Sequence, residues 1–309
     1  MRVSEIILHH YPPSPMAEKA RLAIGFKGLP WHSVEVPRLP PKPDLFPLTG
    51  GYRRVPVMQI GADIYCDTHC ILTELEKRSA TPTFFPSANP GAALALARWS
   101  DDRLFYQAVR IAVAATLESM PPEWVSDRMQ LMFGPDQTAE DLQQQMPNIA
   151  VQMCAQLGWI DQQLANNAFV LGDEPSLPDF SIYPIPWVLR ARWPSATEAF
   201  SQFANLAAWE ARMAAIGHGE ATEMQSADAI ATALACEPET PEYGEPNDPQ
   251  GLAPGMKVKV CPADAFIEPE VEGTLRFVDS DRIAVLHENE RVGTICINFP
   301  RVGYRVNPA

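Results

Sequence analysis

No stretch of the sequence approaches the ~18 consecutive apolar residues that a membrane-spanning helix needs. The opening residues, Met1-Arg2-Val3-Ser4-Glu5, hold neither a long apolar segment nor a small-residue cleavage site of the export type. The expectation is a water-soluble protein of the cytoplasm with no membrane partner. Cysteine is sparse. The six present (66, 70, 154, 236, 261 and 296) have neither the density nor the spacing of a disulfide framework or a zinc site, so reduced thiols are expected. Positive charge is also short: 24 Lys+Arg stand against 38 Asp+Glu, a net charge of −14. A nucleic-acid partner needs a basic face, and this balance argues against one. His9, His10 and His69 have no acidic or Cys partners at ligand spacing, so no metal is expected. Internal repeats and simple-sequence tracts are absent.

What is there is globular composition, 46% hydrophobic and 20% charged, over 309 residues, enough chain for two or three domains. The charge is uneven. Residues 1–86 hold 10 Lys+Arg against 8 Asp+Glu, so a small anionic ligand is least disfavoured there. In this part the hydrophobic period switches repeatedly. Residues 5–10 read as a strand; Ser14-Pro15 supplies an N-cap and a Pro at the first helical position of a helix that Gly28 closes. A second strand is expected over 31–36, then a Pro-rich irregular stretch with room for one short helix, strands over 55–60 and 64–66 around a Gly61-Ala62-Asp63 turn, and a helix from Asp67-Thr68 to Arg78. The order β-α-β-(α)-β-β-α is the thioredoxin-like α/β arrangement. Its ligand site lies where helix N-termini meet strand ends.

From 89 to about 235 helical spacing prevails, and Ser176-Leu177-Pro178-Asp179 has the form of a helix-starting capping box. Residues 237–254 carry five acidic residues and five prolines with almost nothing to bury, the composition of an exposed linker. Beyond it, 257–261, 271–277, 282–286, 293–297 and 303–306 are five short alternating segments. They predict a small all-β domain of SH3-like barrel type.

The run from Tyr11 through Ser14-Pro15 to Arg21, then Gly28-Leu29-Pro30, Arg54-Val55-Pro56-Val57-Met58 and Asp67-Thr68, in this order, resembles the N-terminal domain of the glutathione S-transferase family. The helical region, with Ser176 to Asp179, resembles that family's second domain. The resemblance spans about residues 4–235 and implies a glutathione-binding domain over 1–86 and an all-helical domain over 87–236. The linker 237–254 and the β domain 255–309 lie outside it. It further implies glutathione as co-substrate, a small, apolar electrophile as second substrate, and a homodimer.

Such an enzyme must make a thiolate from a thiol whose free pKa is ~8.5. A helix N-terminus and a donated hydroxyl both favour the charged sulfur. By resemblance Ser14 holds the catalytic position; a Ser before Pro is also an ordinary N-cap. Tyr11 is the rival hydroxyl, or else a packed aromatic at the end of a strand. Pro56 matches the family's cis-proline, which presents the Val55 backbone to the cysteinyl part of glutathione as an added strand. Asp67-Thr68 corresponds to the pair that receives the γ-glutamyl end, Asp67 meeting the ammonium and Thr68 the carboxylate; alone, the pair would be a plain helix cap. Arg54, with Arg53 and Lys42 as alternatives, can neutralise the glycyl carboxylate. Cys66 and Cys70 lack C-x-x-C spacing, which disfavours thiol–disulfide exchange. Phe105, Tyr106, Trp124, Met129 and Phe133 are candidate walls for the second substrate, or simply core. The alternative function is a non-catalytic scaffold of the same fold acting through its C-terminal β domain.

Overall fold

The first strand, β1 (Ile6–His10), is buried at all five positions, because it has β neighbours on both sides. At Ser14 the chain turns into α1 (Pro15–Phe26). The Ala17 N–H donates to Ser14 Oγ at 3.2 Å, so the serine caps the helix and Pro15 opens it. There follow β2 (Trp31–Glu35), a short α2 (Phe46–Thr49), β3 (Val57–Ile60), β4 (Asp63–Cys66) and α3 (Thr68–Arg78), the expected thioredoxin-like order. β3 begins two residues later than its apolar pattern suggests, since Pro56 has no N–H to give a ladder. α2 ends at Gly50, where φ is 60° and a Cβ would lie 2.8 Å from Val271 Cγ1. Both the left-handed backbone and the close approach require glycine there.

This computed structural model describes residues 5–87, 89–239 and 248–309. The chain divides into two compact units, one made of Met1–Ala20, Gly28–Lys77 and Gly219–Ala309, the other of Arg21–Lys27 and Arg78–His218. The second unit is helical: α4 (Pro90–Trp99), a π-helical turn over Ser100–Leu104, α5 (Phe105–Thr116), α6 (Pro122–Phe133), α7 (Ala139–Leu164), α8 (Leu177–Ile182), α9 (Pro184–Arg192), α10 (Ala196–Ala199) and α11 (Ala204–Ile216). In its interior the expected capping box is formed. Asp179 Oδ2 accepts from the Ser176 N–H and hydroxyl at 2.9 and 2.6 Å, and Oδ1 accepts from Val170 N–H and Trp209 Nε1–H at 2.9 and 2.8 Å. Burial pushes this carboxyl above its ordinary value, outweighing the donors that pull it down. Among the described residues no helix is long and apolar enough to cross a membrane.

The remaining elements return to the first unit: β5 (Ala221–Glu223), α12 (Ser226–Leu234), β6 (Lys257–Pro262), β7 (Val271–Val278), β8 (Arg282–Asn289), β9 (Gly293–Pro300) and β10 (Tyr304–Pro308). The five expected C-terminal strands are all present. They join one sheet of order β10-β6-β7-β8-β9-β4-β3-β1-β2-β5. The junction is β9 beside β4, parallel, with Ile64 opposite Ile297 and Tyr65 opposite Asn298. This pairing satisfies an edge that β4 would otherwise expose. One apolar core runs beneath it, from Ile7, Val57 and Ile64 to Val285, Ile297, Phe299 and Val306. At the opposite edge β5 pairs in parallel with β2. It lay within the stretch read as all-helical, and its three exposed residues carry no alternation to reveal it. Of the expected linker, residues 240–247 lie outside the described residues; on its near side Glu239 N–H donates to Asp63 Oδ2 at 2.8 Å.

Candidate functional site

The sheet register places the sequence-predicted residues. His9 on β1 lies opposite Val57 on β3, and Val57 lies opposite Cys66 on β4. At this end of the row three segments lie outside the sheet: 11–14 leading to α1, 55–56 leading into β3, and 67 leading into α3. Tyr11, Ser14, Val55, Pro56, Asp67 and Thr68 therefore belong to one sheet end, beside the N-termini of α1 and α3. The positive dipole ends of two helices there favour an anionic ligand.

Each position has its own geometry. Ser14 is buried, and its Oγ accepts the capping bond with one lone pair, which leaves the O–H able to donate. Capping the helix and donating to a sulfur are compatible roles for it. Tyr11 is half-buried against the core, with Lys42 Nζ 5.8 Å and Arg38 Cζ 5.9 Å from its ring centre. The Val55–Pro56 peptide bond is cis. Asp67 has φ of 75°, the only positive φ outside glycine among the described residues. Such backbone is costly for a residue with a Cβ and collects at ligand-binding positions. Its Oδ1 accepts from His69 N–H at 2.9 Å, which fixes the carboxylate at the start of α3. Thr68, next in line, is buried.

Other side chains at this end come from far along the chain. Arg54 donates from Nε and Nη2 to the two oxygens of Glu268 at 2.7 and 2.5 Å, and Nη2 also reaches Asp264 at 3.4 Å. Burial works against the guanidinium charge, but the Glu268 carboxylate outweighs it and raises the Arg54 pKa. The Glu268 side chain is only 2% exposed. A ligand carboxylate approaching Arg54 thus meets a guanidinium already paired, while Arg53 and Lys42 are buried. Tyr304 donates to Asp67 Oδ2 at 3.3 Å and is itself 3.0 Å from the Tyr52 hydroxyl. Sequence reasoning missed Tyr52, Asp264, Glu268 and Tyr304. No local pattern marks them, because their relevance depends on a contact between chain segments more than two hundred residues apart.

Cys66 and Cys70 are buried free thiols, and burial pushes both above their ordinary value, so they stay protonated at neutral pH. Among the described residues no group of three or more His, Cys, Asp or Glu is placed to hold a metal ion. Of the residues read as possible walls, Met129 and Phe133 are buried in a core cluster that Trp124 packs against, and Tyr106 meets Phe133 edge-on.

The family description "Glutathione S-transferase, N-terminal domain" matches residues 8–83, and "Glutathione S-transferase, C-terminal domain" matches residues 143–212. A crystal structure of a GST-like protein from Pseudomonas syringae is 36% identical, with 99% of this chain and 100% of that one covered at a TM-score of 0.78. The chain belongs to the glutathione S-transferase family. Its fold is that of a glutathione S-transferase, and the match to the P. syringae protein runs over both chains almost entirely, the C-terminal strands of this chain included. More distant structures align over about two thirds of this chain and show the fold alone. A glutathione transferase family member from Pseudomonas fluorescens pf-5 with two glutathione bound is 14% identical, covering 70% of this chain and 91% of that one at a TM-score of 0.52. The beta-etherase LigF from Sphingobium sp. strain SYK-6 is 16% identical, covering 68% and 95% at 0.53. Among curated proteins none matches.

Proposed function

We propose that this transferase binds reduced glutathione at the sheet end described above and directs its thiolate at a small, apolar electrophile. The observation that carries the reading is the His9–Val57–Cys66 row, at whose end lie the helix-capping serine, the cis Val55–Pro56 bond and the strained Asp67 at two helix starts. Val55 offers its backbone to the cysteinyl part of the ligand as an added strand, with Pro56 setting its direction. Asp67 meets the α-ammonium of the γ-glutamyl end. Thr68, through its hydroxyl and its own N–H at the start of α3, takes the neighbouring carboxylate. The Ser14 O–H donates to the sulfur, and with the α1 N-terminus lowers the thiol pKa so that the proton leaves to solvent. Arg54 is paired with Glu268 and adds no net positive charge to the site, and no metal takes part. The protein works in the cytoplasm as a homodimer, in keeping with the family, and attack of the thiolate on the electrophile expels its leaving group or opens its activated bond, a chemistry suited to detoxification. The glutathione held by the P. fluorescens family member supports the choice of ligand.

Calorimetric titration with reduced glutathione, beside Asp67→Ala and Ser14→Ala, tests the reading. Saturable binding by the wild type, weakened about tenfold or more in Asp67→Ala, is the expected result. Ser14→Ala keeps its affinity within a few-fold and loses on the order of tenfold or more in turnover of a halonitroarene. No binding by the folded wild type favours instead a non-catalytic scaffold acting through the C-terminal strands. The pairing of Glu268 with Arg54 is the observation on that side.

A further inference from the structure

Asp67 is held from two directions. His69 N–H on α3 takes Oδ1, and Tyr304 on β10 takes Oδ2. A carboxylate only accepts, and a phenol has one proton. The Tyr304 proton therefore points at Asp67, and the Tyr52 hydroxyl, 3.0 Å from that of Tyr304, must donate to the Tyr304 oxygen. The result is a one-way chain, Tyr52 to Tyr304 to Asp67, in which each donated bond polarises the next. Burial raises both phenol pKa values, so neither loses its proton near neutral pH.

The rings are fixed as well as the hydroxyls. Tyr304 lies 5.4 Å from Phe299 and 6.5 Å from Tyr52 between ring centres, and Tyr52 meets Phe299 edge-on at 5.8 Å. Phe299 is on β9, the strand that joins the C-terminal strands to β4, and β4 ends one residue before Asp67. In the same cluster Glu268 meets the charge of Arg54, which leaves the Asp67 charge for a cationic group of a ligand. Two of the roughly four lone-pair positions of the carboxylate are used, and the others stay open to an ammonium.

We propose that Tyr304 is a positioning residue of the glutathione site, acting through Asp67: the last strand of the chain aims the carboxylate that receives the γ-glutamyl ammonium. The C-terminal strands are on this account part of the binding machinery. The proposal rests on the glutathione reading above.

The test is a double-mutant cycle in the full chain, with reduced glutathione as the probe and calorimetric Kd as the readout. Tyr304→Phe removes one oxygen and keeps the ring packing; it is expected to weaken binding about five- to tenfold. Asp67→Asn weakens it further, and the Tyr304→Phe, Asp67→Asn double variant binds no worse than Asp67→Asn, because the tyrosine has lost the charge it orients. A purely structural tyrosine would move the thermal midpoint and leave this coupling at zero. Unchanged affinity in Tyr304→Phe, or losses that simply multiply in the double variant, overturns the proposal and leaves the glutathione reading standing. Absence of binding by the wild type removes both.

Discussion

Replacing Asp179 by alanine removes the acceptor for four donors inside the helical unit: Val170 N–H, Ser176 N–H, the Ser176 hydroxyl and Trp209 Nε1–H. Asp179, Ser176 and Trp209 are all fully buried, so water does not replace the lost acceptor. Each buried donor left without a partner costs about 1–3 kcal/mol, and the Ser176 hydroxyl can rotate to limit its own loss. Three such donors give about 3–9 kcal/mol, a large part of the ~5–15 kcal/mol that holds an ordinary domain. Asp179→Asn divides the site. Its oxygen still serves Val170 and Trp209, while its NH2 faces the Ser176 N–H, donor against donor, and the expected cost is about 1–3 kcal/mol. Urea denaturation followed by far-UV circular dichroism, with both variants beside the wild type, measures the two losses. The reasoning is refuted if Asp179→Ala lies within about 1 kcal/mol of the wild type, or if asparagine costs as much as alanine.

Two buried groups make opposite contributions to acid stability. Burial lowers the pKa of His9, which hydrogen-bonds Gln59 at 2.9 Å, from 6.5 to about 4. Its contribution is complete above pH 6.5 and is lost as the pH falls to about 4, ~3 kcal/mol in all. Burial raises Asp63 from 3.8 to about 6, so its contribution is complete below 3.8 and is lost as the pH rises through 6. The two slopes oppose each other between pH 4 and 6; Asp63→Asn, which keeps an acceptor for Glu239 N–H, should show a steeper acid loss than the wild type in denaturant midpoints over that window. Parallel pH profiles for the two proteins would count against this assignment. In the C-terminal strands, a Cβ on Gly273 would sit 2.5 Å from the Leu286 carbonyl oxygen and 3.2 Å from Val285 Cβ, both on the paired strand. Gly273→Ala should therefore lose ~1–3 kcal/mol, and a neutral thermal midpoint would show that β7 and β8 separate freely.

The local structure at the candidate site was legible in the sequence. Ser14-Pro15 and Asp67-Thr68 mark helix starts by local chemistry, and a cap forms with residues three or four apart whatever else surrounds it. Pro56 was legible because its flanking motifs matched a family. Local reasoning failed where the exposed, unpatterned β5 lay along β2, and where Arg54 found its partner. Charge alone left Arg54 open to a ligand carboxylate, whereas a carboxylate at position 268 takes it.

By itself the amino-acid sequence determined the succession of strands and helices over residues 5–78, the five C-terminal strands, the caps that start the helices, and the family that the ordered motifs resemble, because each of these depends on periodicity or on neighbours a few residues apart. Only the tertiary structure decided that β9 lies along β4 and that Tyr304 and Glu268 reach Asp67 and Arg54. Ile64 and Asn298, joined across that seam by a hydrogen bond, are 234 residues apart. An alternating strand specifies which face is apolar, not which edge it will pair with; that choice is made by the shared core beneath both strands, and a core exists only once the chain has folded.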